Sequence, residues 1–134
     1  MRQSVRGNPA WDMTAGIAVL RESTKEADLE RPHMQFYKDR RLVSRLQALS
    51  GTVNTETRDV RLSSSVVVTS LEDASTLKTE QLLYSSAKNK FFTDREVFVK
   101  RPGGALRGKG LVANSDLSEI RIFNQRSVIE EKPK

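Results

Sequence analysis

The chain offers few residues with which to do covalent chemistry. Cysteine is absent and histidine occurs once, at His33 beside Pro32, so a thiolate metal site, a disulfide framework and a Cys/His nucleophile pair are all excluded. No HExxH or GxSxG context surrounds His33, which reads as a surface or edge residue. Acidic residues are plentiful, but they fall in turns or beside basic ones, in "TRD", "DRE" and "KEAD". That is the usual arrangement of solvated charge, and nothing in it marks a pair of catalytic carboxylates. "RPGGALRGKG", residues 101–110, alternates glycine with base as a phosphate loop does. A Walker loop, however, needs a Lys-Ser/Thr pair leading into a helix, and here apolar strand residues follow. A basic hairpin turn, able to touch an anionic headgroup, is the better account. No enzyme activity, metal or cofactor is expected.

Binding is a better prospect. The net charge is +6, and residues 100–134 alone hold eight basic against four acidic side chains, so most of the surplus lies in the last quarter of the chain. Such a surface favours anionic partners: nucleic acid, phospholipid headgroups or a phosphorylated glycolipid. Aromatic residues are only 6% of the chain, and Tyr84, Phe91 and Phe98 fall on strands where packing explains them. This argues against a base-stacking surface for nucleic acid, and repetition argues against a small OB-type barrel.

The elements that would position such a surface are strands. Residues 46–68, "LQALSGTVNTETRDVRLSSSVVV", and residues 77–99, "LKTEQLLYSSAKNKFFTDREVFV", have the same length and nearly the same apolar spacing. At an offset of 31, Leu46 meets Leu77, Val53 meets Tyr84, Val60 meets Phe91, Val66 meets Val97 and Val68 meets Val99. A third copy begins at Leu106, and its tail drifts by two residues. Within each copy apolar residues recur in steps of two, the period of a strand with one buried face. Turn-forming stretches separate them: "NTETRD", "EDAS", "SSAKNK", "RPGG" and "NSDLS". Before Leu46, Trp11/Met13 and Met34/Phe36 alternate in the same way, although "STKEADLE" would also suit a capped helical turn.

Each copy also slips phase once, at Ala48/Gly51, Thr79/Leu82 and Gly108/Leu111, which requires a bulge or bend at the same place in every repeat. A sheet bent repeatedly at one level folds over an apolar lumen and leaves unpaired strands at both ends. The expected fold is all-β, an elongated roll of repeated antiparallel strands. The expected domain spans residues 11–130, with flexible segments at 1–10 and 131–134. No apolar run is long enough to cross a bilayer as a helix, and the N-terminus has no signal-peptide core.

Together "WDMTAGIA", "LERPHMQFY", the repeat copies and "ALRGKGLVANSDLSEIRI" resemble the LptC family, in the family's order and over nearly the whole chain. The resemblance implies a β-jelly roll, a folded "taco", located in the periplasm and anchored to the inner membrane by a helix that this chain lacks, as a soluble fragment or atypical member would. It implies no catalysis. Members accept lipopolysaccharide from an inner-membrane ABC transporter complex and pass it to the bridge protein LptA. A bridge protein of the LptA type, or an adaptor that touches partners only through its edges, are the neighbouring readings.

Carried onto these residues, the resemblance gives the inward apolar set a ligand. Acyl chains would lie along Leu46, Ala48, Val60, Leu62, Val66, Val68, Leu77, Leu82, Phe91, Val97, Val99, Leu106, Ile120 and Ile122. Phosphorylated sugars would meet Lys100, Arg101, Arg107 or Lys109 at the rim. The partner edge would be Glu119, Ile120, Arg121, Ile122, Phe123 and Val128, and a second edge would lie near residues 11–19. Exposed edges of this kind also allow a homodimer.

Overall fold

The computed structural model describes residues 2–5, 8–124 and 126–128, with side chains described from 10 to 124. Within them are thirteen strands and no helix: β1 (Arg2–Val5), β2 (Asn8–Thr14), β3 (Ile17–Arg21), β4 (Glu26–Glu30), β5 (His33–Lys38), β6 (Arg41–Gln47), β7 (Ser50–Asn54), β8 (Val60–Ser70), β9 (Thr76–Ser85), β10 (Lys90–Arg101), β11 (Gly104–Asn114), β12 (Ile120–Ile122) and β13 (Arg126–Val128). All pairings are antiparallel.

The long strands serve two layers at once. The first half of β8 pairs with β7 and its second half with β6, so β8 passes from one layer into the other. In the same way β11 pairs with β13 through its first half and with β12 through its second. One layer therefore runs β1-β2-β5-β6 and on through the halves of β8, β9, β10 and β11 to β13. The other runs β3-β4-β7 and through the opposite halves to β12. Between the layers lies a row of bends. The β8/β9 register shifts between Ser63 and Val66, β10/β9 between Phe92 and Val97, and β10/β11 between Thr93 and Glu96. Ser64, Ser65 and Gly110 on this row have positive φ. Gly110, at +95°, sits where a side chain would be strained and where a Cβ would press on Phe123 at 3.3 Å.

The three expected phase slips all fall on this row. The ladders show how the slips are absorbed: Ser64 and Ser65 of β8 stand opposite Glu80 alone, and Asp94 and Arg95 of β10 opposite Gly110 alone, so the longer side of each bulge is the partner strand of the slip. At the far ends of the strands, polar side chains hold the turns by mimicking a backbone turn. The Asn54 carboxamide oxygen accepts from the N–H groups of Glu56 and Thr57, both at 2.9 Å, and Asp73 accepts from the Ser75 N–H.

Before the repeats, "STKEADLE" forms no helical turn. Residues 22–25 are the turn of the β3–β4 hairpin, with Lys25 at φ 57°. The Arg21–Asp28 ion pair staples this hairpin across its outer face. The segment expected to precede the domain carries β1 and the start of β2. Of the N-terminal edge expected near residues 11–19, residues 17–19 lie on the edge strand β3, whereas residues 11–14 do not lie at an edge. Residues 11–14 lie on β2, which β1 covers on one side and β5 on the other, and the edge strands at this end, among the described residues, are β1 and β3.

Candidate functional site

The space between the layers is where the inward residues meet. Leu46, Ala48, Val60, Leu62, Val66, Val68, Leu77, Leu82, Phe91, Val97 and Val99 are all buried in one apolar cluster, and Leu106, Ile120 and Ile122 pack against it half-buried near the C-terminal end. The set is assembled from both layers, and the repeat explains why. Each copy sends a bent strand out and back, contributing the same inward positions at successive levels along the roll. Burial of this face is the main driving force for closing the layers.

Four rings clasp the layers, and of these the inward set read from the sequence held only Phe91. Trp11 and Phe36, from the first layer, meet Tyr84 and Phe91, from the second. Phe36 lies 5.0 Å from Tyr84 and 5.3 Å from Phe91 between ring centroids, and Trp11 lies 6.1 Å from Tyr84, all edge-to-face. All four rings are at most 1% exposed. The Tyr84 hydroxyl reaches Asn89 in the following turn, and burial, with the nearby Asp59 charge, holds its phenol protonated well above the ordinary range. Trp11, Phe36 and Tyr84 stood on the right phase of the alternation; what the repeat did not show was that β2 and β5 extend the first layer to face Tyr84 and Phe91. The interior is filled by these side chains. Surface grooves lie on the outer faces, among Lys78, Arg107 and Lys109, among Arg61, Leu83, Phe92 and Phe123, and among His33, Arg45 and Gln47.

Opposite the row of bends the roll has a mouth, where the ends of the two layers face each other, and this rim is polar. Residues 115–118, between β11 and β12, reach across it. The Ser44 hydroxyl donates to the Ser115 carbonyl, Lys38 pairs with Asp116 at 3.7 Å, and Arg101 Nη2 donates to the Leu117 carbonyl at 3.2 Å. Leu117 itself is fully buried. Burial pushes the Asp116 carboxyl upward, but hydrogen bonds from Ser118 and the Lys38 charge outweigh it and hold the group below the usual carboxylate range. Leu117 continues the inward alternation of Leu111, Ala113 and Ser115, a phase that the turn-forming composition of "NSDLS" obscured.

This two-layered roll has a solved counterpart. It superposes on the crystal structure of LptH, the LptA-homologous periplasmic component of the lipopolysaccharide transport device of Pseudomonas aeruginosa, with a TM-score of 0.72 over 94% of this chain and 98% of that one, at 12% identity. So low an identity establishes the β-jelly-roll fold alone. Residues 1–130 match the family described as "Lipopolysaccharide-assembly, LptC-related". The chain belongs to the LptC family. No curated protein matches it in sequence.

Seen as an LptC fold, the roll ends in edge strands on both sides. Among the described residues at the C-terminal end, β12 and β13 each pair with β11 alone, one after the other along its length. Glu119, Arg121 and Phe123 are exposed there, Ile120 and Ile122 half-buried; the Val128 backbone pairs with Ala105, and its side chain lies outside the described residues. At the other end β3 pairs only with β4 and carries Ile17, Val19 and Leu20 at 48, 53 and 60% exposure. The four basic residues suggested for headgroups are not brought together. Lys100, Arg107 and Lys109 project from the outer face, with Arg107 stacked 5.1 Å over Phe98. Arg101 alone takes the inward phase, after Val97 and Val99, and comes to the mouth. The signal was available: its position continues the inward alternation of β10. No cluster of metal-ligating side chains occurs among the described residues, nor any helix able to cross a membrane.

Proposed function

We propose that the chain is a periplasmic lipopolysaccharide-transport protein that accepts lipopolysaccharide from the inner-membrane ABC transporter complex and passes it to the bridge protein LptA. Membership of the LptC family supports the role in lipopolysaccharide transport. The observation that carries the reading further is one inward apolar cluster running from β2 and β4 to β11, with Ile120 and Ile122 of β12 packed against it, through every repeat copy. Acyl chains need an uninterrupted apolar trough, and repeating one cross-section is the economical way to make it long. The chain's part is to bind and release. Its charged groups lie on the outer faces and rim, where phosphorylated sugars would remain in water, and the energy for directional transfer comes from the transporter.

Photo-crosslinkers test the route. Placed at the inward positions Val68 or Phe91 they are expected to capture lipopolysaccharide, while the outward neighbour Val67 is not. Absence of capture at both inward sites would sink the reading and leave the adaptor, whose filled interior matches the burial described above. The adaptor predicts instead that a charge introduced at Val68 unfolds the domain with no consequence for lipid beyond that.

The edges complete the proposal. Three exposed aliphatic side chains on an edge strand invite another strand beside them, and we assign β3 to the transporter side and β12 to the bridge. Val19→Lys is expected to weaken co-purification with the transporter complex about tenfold. Thermal unfolding should be nearly unchanged, because the side chain is more than half exposed. Equal loss of both would show that β3 matters to folding and not to docking.

A further inference from the structure

We propose that residues 115–118 form a reversible latch that holds the mouth of the roll shut over its apolar interior, so that lipid enters by release of this loop and parting of the layers about the row of bends. The proposal rests on the transport reading for its purpose, and on geometry for its existence.

The loop belongs to the β11–β12 end of the strand order, whereas Lys38 and Ser44 belong to β5 and β6, with β8, β9 and β10 in between. No contact along a sheet can join them. The Ser44–Ser115, Lys38–Asp116 and Arg101–Leu117 interactions therefore span the gap between the layers at its open side. Leu117 fills the space beneath them, buried to 0% exposure. The opposite side of the roll is built to flex. There the ladders lose register at three successive strand pairs, so regular pairing is interrupted along a line about which the layers can swing.

The closure is also imperfect in the way a device made to open is imperfect. Leu117 holds φ at 61°, a conformation that bulky residues rarely take. Arg101 Nε is buried with no hydrogen-bond partner even though Nη2 is engaged. The Lys38–Asp116 pair has one largely exposed partner and a long separation, the kind of ion pair that contributes little. Against this, the interior beneath is filled by its own side chains, and an acyl chain cannot enter until something at the mouth yields.

The absence of cysteine permits a clean test. Val99→Cys, one inward step below Arg101 and fully buried, reports opening through its rate of reaction with a small thiol reagent. Adding Lys38→Ala with Ser44→Ala, or separately Leu117→Ala, is expected to raise that rate at least tenfold. Val53→Ala, buried on β7 away from both the latch and the row of bends, compared at matched global stability from denaturant unfolding, should leave it near the parent rate. If all variants react in strict proportion to their global stability, the mouth opens only by unfolding and the latch is refuted. In parallel, a crosslinker at Phe91 follows lipopolysaccharide loading, and the latch variants should load faster to the same final level. A parent protein that never loads defeats the transport reading, while the thiol rates still decide the latch; loading that is equally fast with and without the latch contacts refutes the latch and leaves transport standing.

Discussion

Phe36→Ala is expected to lower the free energy of unfolding by about 3–5 kcal/mol, the range for truncating a fully buried aromatic. Phe36 is 0% exposed on β5, and its ring is the one that touches both Tyr84 and Phe91 of the opposite layer. Removing it costs the transfer of the ring, opens a cavity between layers that are tethered by bent strands, and forfeits two edge-to-face contacts worth about 0.5–1.5 kcal/mol each. A domain of this size has a total stability on the order of 5–15 kcal/mol, so the variant should sit close to the threshold of folding. The fall in melting temperature should be roughly 10–20 °C. Phe36→Leu, which keeps most of the volume, should recover more than half of the loss. Urea unfolding of the two variants checks both statements. A loss below about 1 kcal/mol for the alanine variant would mean that the layers part freely at this point, against the packing described.

Much of this architecture was legible beforehand, and the reason is periodicity. An apolar residue at every second position is hard to bury in any way except as one face of a strand, and the same pattern copied at Leu46, Leu77 and Leu106 fixes three successive levels of one sheet. The bends were legible for the same reason: a three-residue step in a two-residue rhythm must be absorbed by a bulge. What periodicity cannot report is which strand absorbs it. In β9 the slip was read from Thr79 and Leu82, but the longer side of the bulge is Ser64 and Ser65 of β8 across the ladder, since a register shift belongs to a pair of strands and not to one. The N-terminal third was harder because β3 has no inward face at all. Its five residues are all exposed, so hydrophobicity there marks an unpartnered edge and not a core, and pattern alone cannot tell the two apart. The latch was invisible for a further reason. Leu117 stands in a turn-forming stretch where Ser115 interrupts the apolar alternation of Leu111 and Ala113, and the partners that close over it, Lys38 and Ser44, lie some seventy residues earlier in the chain.

The C-terminal edge makes the last and most selective prediction. The Phe123 N–H donates to the Gly110 carbonyl at 3.0 Å, the Lys109 N–H donates to the Phe123 carbonyl at 2.9 Å, and the Asn114 N–H donates to the Glu119 carbonyl at 3.0 Å. The backbone groups of residues 119 and 123 thus face β11. Antiparallel alternation then turns those of Ile120 and Ile122 toward the open edge, where an incoming strand would find them. Proline is tolerated on an edge strand when the missing N–H faces outward. Ile122→Pro should therefore leave the β11–β12 ladder in place and remove one donor from the docking edge, while also losing a half-buried side chain. Ile122→Ala loses the side chain and keeps the donor. If the bridge protein binds by extending the sheet, titration calorimetry with soluble LptA should show at least about a tenfold loss for the proline variant, equivalent to about 1.4 kcal/mol, and a loss of about threefold or less for alanine. Equal losses would place the interaction in the side chains of β12 instead of its backbone, and unchanged binding in both would move the docking strand to β13, the other partner of β11 at this end of the roll.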